Sequence, residues 1–292
     1  MFIRNAVYLL LICSTTNLTL ASDIETGIAL FENKKFDEAR QFFTNFISDN
    51  PDNACGFYYL GRVCFAKQDY KKAEVSYKTA IELENDNSTY HHWLGLLYIS
   101  RIQKASIFKK VSLSKKARRH LEKAVQIDSS NAAARKDLFA YYLNAPGIAG
   151  GSIDKALEHA QVLLKLNEGK GRFALVQIYI KKEQLELAEK EYKLCEEIVG
   201  DNPEDNNFYN SYGYFLLRRN KVDEAIEKFE KQVALTPEAA NPYDSLGDGY
   251  RAAGHLQEAK AAYLKALEID PEFKAAKKNL RNVEKELKKS VK

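Results

Sequence analysis

The side chains with the most chemical potential in this chain are its histidines and cysteines. His91, His92, His120, His159 and His255 are spread over most of its length, with Cys13, Cys55, Cys64 and Cys195 among them. A metal ion needs ligands that converge, at one helical turn or as a close pair of thiols. No His-x-x-x-His or Cys-x-x-Cys spacing occurs, so neither a metal nor any other cofactor is expected. Cys55 and Cys64 fall nine residues apart in one predicted helix, about 13 Å along its axis and too far for a disulfide. Cys195 takes the place of a small core residue, which fits packing.

A glycine-rich stretch, Asn144-Ala-Pro-Gly-Ile-Ala-Gly-Gly-Ser152, raises a second chemistry, since backbone amides ahead of a helix can cradle phosphate. It lacks the Gly-Lys-Ser/Thr ending of a phosphate-binding loop and no strand precedes it. The spacing instead predicts a long turn, with Pro146 ending one helix and Ser152 capping the next. Pro146, Gly147, Gly150 and Gly151 are then an insertion projecting from one edge of the fold, where recognition is a second role for them. No nucleophile with a base, no paired acids and no metal set stands out, and a non-enzymatic protein is expected.

The elements that must position these residues repeat. Tyr209–Pro237 superimposes on Tyr243–Pro271, with Gly213/Gly247, Ala225/Ala259, Phe229/Tyr263 and Pro237/Pro271 each 34 residues apart. The small residue recurs at Ala39, Ala73, Ala117, Ala156, Ala188, Ala225 and Ala259, which gives seven helical hairpins. Gly27, Gly61, Gly95, Gly213 and Gly247 recur in the first helices, each costing about 1 kcal/mol of helix propensity. The cost is offset if a neighbouring helix packs on bare backbone. Phe43, Tyr77, Leu121, Tyr192, Phe229 and Tyr263, four residues after their alanines, share a helical face with them and fill the core.

These residues and their period resemble the tetratricopeptide repeat superfamily over about residues 24–289. The resemblance implies an all-α, right-handed superhelical solenoid of about seven hairpins plus a C-terminal capping helix. The solenoid is expected over 23–272, with repeats at 23–53, 54–87, 88–131, 132–168, 169–205, 206–239 and 240–272, and a basic cap at 273–292. The pattern is regular in repeats one, two, six and seven. In repeat three Ala117 falls ten residues late; in repeats four and five Phe139 and Val176 stand where glycine is usual.

The resemblance also implies that positions two, five, nine and twelve of each repeat line a concave groove. Carried over, these are Cys55, Tyr58, Arg62 and Phe65; Thr89, His92, Leu96 and Ile99; Asn207, Asn210, Tyr214 and Leu217; and Asn241, Asp244, Asp248 and Arg251. Asparagines suit an extended peptide because each both donates and accepts. Asn207 and Asn241 fit helix capping as well as binding, while Asn210 lies a turn inside and fits binding better. The Lys, Asn and Arg clamp with which some relatives hold acidic chaperone tails is missing, and Asp244 and Asp248 would repel a carboxylate.

Composition narrows the setting. A charge of +4, with 45% hydrophobic and 29% charged residues, describes a foldable chain. So small a charge, without interleaved aromatic and basic residues, does not point to nucleic acid. Met1–Ser22 has the layout of a signal peptide: Arg4, then an apolar run over Ala6–Cys13, then small polar residues, with cleavage after Ala21 or Ser22. The run is too short to span a bilayer. An exported, periplasmic or secreted protein is expected; the alternative is a cytoplasmic one in which residues 6–12 join a capping helix. Acylation at Cys13 is disfavoured by Ile12.

Function follows as a non-catalytic scaffold that binds a peptide or partner protein in the groove. The alternative is a structural factor held to an anionic polymer or membrane by the basic insertion near Ser100–Ser114. There Arg101, Lys104, Lys109 and Lys110 lead into Lys115, Lys116, Arg118 and Arg119, and Ile102, Ile107, Phe108, Val111 and Leu113 offer an apolar stripe for longer helices.

Overall fold

A computed structural model describes residues 18–200 and 207–290. The expected leader lies outside these residues except for Leu18–Ser22, which open the first helix. Among the described residues there are fifteen α-helices, one 3-10 turn and no strand.

The helices alternate as the repeat requires. They are α1 (Leu18–Glu32), α2 (Phe36–Asp49), α3 (Ala54–Ala66), α4 (Tyr70–Leu83), α5 (Ser88–Ile102), α6 (Ile107–Ile127), α7 (Ala132–Asn144) and α8 (Ile153–Leu166). Then come α9 (Glu168–Lys181), α10 (Leu185–Val199), α11 (Phe208–Arg218), α12 (Val222–Leu235), α13 (Ala240–Ala252), α14 (Leu256–Ile269) and α15 (Lys274–Ser290). Odd-numbered helices through α13 open a hairpin and even-numbered ones close it. Two compact units divide within α10, between Glu191 and Tyr192.

In both units the small residue of the second helix decides how closely a hairpin closes. Ala39, Ala73, Ala117, Ala156, Ala188, Ala225 and Ala259 are all fully buried. The glycine and the residue four after the alanine meet within one hairpin. A Cβ on Gly61 would stand 2.6 Å from the Tyr77 ring, and one on Gly213 2.5 Å from Phe229. Repeat four reverses the exchange: Phe139 stands at the glycine position and Ala160 at the aromatic one, both buried, so the volume comes from the opposite helix.

Each first helix of the N-terminal unit after α1 starts on an asparagine cap. Asn53, Asn87, Asn131 and Asn167 accept from the backbone N–H groups of Gly56, Thr89, Ala134 and Lys170. The regular hairpin turns place one residue in the left-handed region, at Lys34, Gln68, Glu183, Asn220 and Gly254. The turns of repeats three and four are built differently.

In repeat three the insertion lengthens the helices. α6 has 21 residues where α4 has 14, so it starts about two turns, or about 10 Å, before the regular place. Leu113 is buried and Ile102 and Val111 are half-buried, but Ile107 and Phe108 are exposed and do not join the expected stripe. In repeat four the glycine-rich segment is not a free projection. Gly147–Ala149 forms the 3-10 turn, the Tyr141 hydroxyl donates to the Ala149 carbonyl at 2.6 Å, and the turn packs on α6. A Cβ on Gly151 would lie 1.7 Å from the Ala145 carbonyl oxygen, so this glycine is sterically required. Ser152 caps α8, as its position predicts.

Candidate functional site

In the N-terminal unit the first helices bring together an arginine and a set of aromatic rings. Gly61 lets α3 close on Tyr77, and the next residue, Arg62, leads away from that contact. Its guanidinium carbon sits 3.8 Å from the ring centroid of Trp93 on α5, 4.8 Å from Phe31 on α1 and 5.7 Å from Tyr58. Nη1 donates to the Tyr58 hydroxyl at 2.8 Å. Phe65 extends the wall, edge-on to Trp93 at 5.9 Å. Stacking of this kind contributes about 0.5–2 kcal/mol and fixes the plane of the guanidinium.

What the arginine lacks is an acid. Among the described residues Arg62 has no carboxylate partner, whereas Arg101 meets Glu74, Arg172 meets Glu168 and Glu191, and Arg251 meets Glu286. A half-buried guanidinium, oriented by rings and hydrogen-bonded to one neutral hydroxyl, can receive a carboxylate through its remaining N–H groups. Beneath it the Tyr77 hydroxyl is buried, with no hydrogen-bond partner among the described residues; burial pushes its pKa up and the Arg62 charge opposes that rise.

Further along the same unit His92 is buried, with Nε2 2.7 Å from Asp137 Oδ2 on α7. Leu96 lies half-buried one turn beyond His92. Tyr58 and His92 therefore back this surface, while Arg62, Phe65 and Leu96 face outward in part. Phe31, Trp93 and Asp137 were not among the positions carried over. Trp93 and Asp137 occupy position six, one place from the expected stripe, and Phe31, 34 residues before Phe65, is the counterpart in repeat one of position twelve.

The C-terminal unit corrects the expectation. Asn210 is buried, its backbone N–H donates to Gln232 Oε1 at 3.2 Å and its Nδ2 to Asn207 Oδ1 at 3.2 Å; it is a packing residue. Asn207 and Asn241 are exposed, and neither makes a capping hydrogen bond. Asp248 accepts from Tyr214 and Tyr263, both at 2.8 Å, and from Asn279 at 3.3 Å. Asn279 also donates to Asp244 at 3.1 Å, and Arg251 Nε donates to Glu286 at 3.1 Å. Asn279 and Glu286 belong to α15, which begins 34 residues after α13 and takes the place of a further first helix. The inner positions of repeat seven are thus occupied by the chain's own cap. Burial raises the Asp244 carboxyl to about 6, with the Asn279 hydrogen bond opposing and the Asp248 charge adding to the rise.

No group of three or more His, Cys, Asp or Glu side chains converges among the described residues, and no helix there is long and apolar enough to cross a membrane. The arrangement offers recognition surfaces.

Comparison with known proteins gives four matches to repeat families. Models described as "Tetratricopeptide repeat" match residues 25–53, 173–240 and 240–273, and one described as "TPR repeat" matches 61–100. Superkiller complex protein 3 of Mus musculus is 26% identical over 249 residues, covering 84% of this chain and 15% of that protein. The Homo sapiens protein of the same name is 25% identical over 246 residues, 83% of this chain and 15% of its own. This chain therefore spans under one sixth of the length of these relatives. Among solved structures, yeast Tom70 aligns with a TM-score of 0.69 at 16% identity, over 94% of this chain and 58% of Tom70. A tetratricopeptide repeat protein of Parabacteroides merdae aligns with a TM-score of 0.65 at 16% identity, over 91% and 99%. These likenesses establish the fold.

Proposed function

The chain belongs to the tetratricopeptide repeat superfamily, and on that premise we propose that it is a binding scaffold whose N-terminal unit holds a segment of a partner protein against Arg62. Repeat proteins of this class generally serve protein–protein interaction, and the relatives named as subunits of a complex fit that role. The observation that carries the reading is the stacked arginine, without an acidic partner among the described residues and walled by Phe31, Phe65 and Trp93. Its complement is a segment with an acidic residue flanked by apolar ones. A rigid, preorganised surface lowers the ordering cost of holding such a segment.

A peptide library displayed against the protein tests this. Selection on the native chain should enrich an acidic residue with apolar neighbours, and selection on Arg62→Glu should lose that enrichment. Equal enrichment on both proteins would remove Arg62 from the site. The signal-like layout of Met1–Ser22 supports export as the setting; sequencing the N-terminus of the native protein tests that, and an intact Met1 would contradict it.

A further inference from the structure

The two places where the repeat departs from its pattern share an unexpected property. Among the described large apolar side chains the three most exposed are Phe108 at 87%, Ile148 at 76% and Ile107 at 74%. Ile107 and Phe108 open α6 directly after the turn of repeat three, and Ile148 lies in the 3-10 turn of repeat four. Both turns join the first helix of a hairpin to its second, so they lie on one edge of the N-terminal unit. The turn of repeat four also packs on α6, at Arg118, whose side chain lies against Gly150 eleven residues along the helix from Ile107.

Along the chain, the charge on either side of Ile107 and Phe108 is one-signed. From Asn87 to Leu121 there is no acidic residue. Lys104, Lys109, Lys110, Lys115 and Arg119 are exposed and have no acidic partner among the described residues. The overhang of α6 carries Ile107 and Phe108 past the regular end of a second helix, with Lys109 and Lys110 beside them. Nothing in hairpin packing requires this, since the buried Leu113 and Ala117 begin the core contact further along α6.

We infer that this edge is a peripheral membrane-binding surface, with Ile107, Phe108 and Ile148 entering the headgroup boundary of an anionic bilayer and the flanking cations meeting lipid phosphates and carboxylates. Peripheral attachment to an anionic bilayer grows with the apolar area buried at the headgroup boundary and with the attraction of basic side chains to anionic lipids, and this edge offers both. A nucleic acid or other polyanion would engage the cations but gives Ile107 and Ile148 nothing to bury against, and a single phenylalanine is no stacking platform. No described helix can cross a membrane, so the contact lies at the bilayer surface.

The test uses the full chain and vesicles of phosphatidylcholine with about a third phosphatidylserine, against pure phosphatidylcholine. Sedimentation should show binding to the anionic vesicles only. The double variant Lys109→Glu, Lys110→Glu should abolish it, and Phe108→Ser should weaken it roughly tenfold. All are exposed positions, so melting temperatures should be unchanged. Phe108→Trp should give, beyond the signal of Trp93, an emission shifted to the blue by anionic vesicles and quenched by brominated acyl chains. Absence of vesicle binding overturns the inference. So does binding that is indifferent to Phe108→Ser and leaves the added indole emission of Phe108→Trp unshifted, which would describe a polyanion or protein surface.

Discussion

The Arg62 guanidinium lies 3.8 Å from the ring centroid of Trp93, in parallel with a hydrogen bond to the Tyr58 hydroxyl. Two adjacent first helices thus hold one cation in one plane. Removing the ring while keeping the charge, in Trp93→Leu, should loosen that plane and weaken ligand binding several-fold, with a stability loss of about 1 kcal/mol from the lost cation–π contact. Arg62→Lys should bind less than the native protein, because a point charge cannot reproduce two parallel hydrogen bonds. Titration calorimetry with a selected peptide checks both, and native affinity in Arg62→Lys would show that charge alone matters.

The glycines of repeat four should separate cleanly. Gly151→Ala drives a methyl into the Ala145 carbonyl and should cost at least about 2 kcal/mol. Gly147→Ala, with open space around it, should stay within about 0.5 kcal/mol. Urea melts of the two variants test this; equal effects would mean the turn relaxes.

The cap helix carries a pH signature. Asp244 has its carboxyl raised to about 6 by burial, against an ordinary 3.8. A raised carboxyl contributes stability at low pH that is lost as pH rises through about 6. Asp244→Asn keeps an acceptor for Asn279 and removes the ionisation, so it should be more stable than the native chain at pH 7.5 by about 1 kcal/mol. The advantage should shrink at pH 5. A variant less stable at both values would show that the Asp244 charge is needed.

Repeat three carries the opposite signature. His91 Nε2 lies 3.1 Å from the Asn85 carbonyl oxygen and must donate to it, so His91 Nδ1 accepts from His120 Nδ1, 3.0 Å away. Burial, reinforced by His91, pushes His120 down to about 4. A histidine held neutral in the fold contributes stability above its unfolded value that is lost as pH falls from about 6.5 toward 4. His120→Phe should be less stable at pH 7.5, yet lose stability more gently across that window. Parallel melting-temperature profiles for the two proteins would contradict this.

The fold was legible because its repeat is steric. Gly61 facing Tyr77, Gly213 facing Phe229 and seven buried alanines are demands of volume, and volume is written in residue type. The site was legible only in part. Arg62, Phe65 and Leu96 follow from the family's inner positions, but Trp93 reaches Arg62 from position six because neighbouring first helices are offset, which no single repeat reveals. Asp244, Asp248 and Arg251 read as a groove until α15 is seen supplying Asn279 and Glu286. Ile107 and Phe108 fit a helical stripe by spacing, yet α6 overhangs the hairpin there, and an overhanging face has nothing to pack on.

The role of Arg62 as the anchor for an acidic segment on the N-terminal unit is open to one direct measurement. A peptide selected on the native chain is titrated calorimetrically into the native protein, into Arg62→Glu, and into Lys71→Glu on the exposed face of α4. Affinity should fall by at least about tenfold in Arg62→Glu and stay unchanged in Lys71→Glu; Lys71→Glu should melt like the native chain, and Arg62→Glu should stay folded with a lower melting temperature, since it gives up the ring contacts and the Tyr58 hydrogen bond. Native affinity in a folded Arg62→Glu would contradict that role.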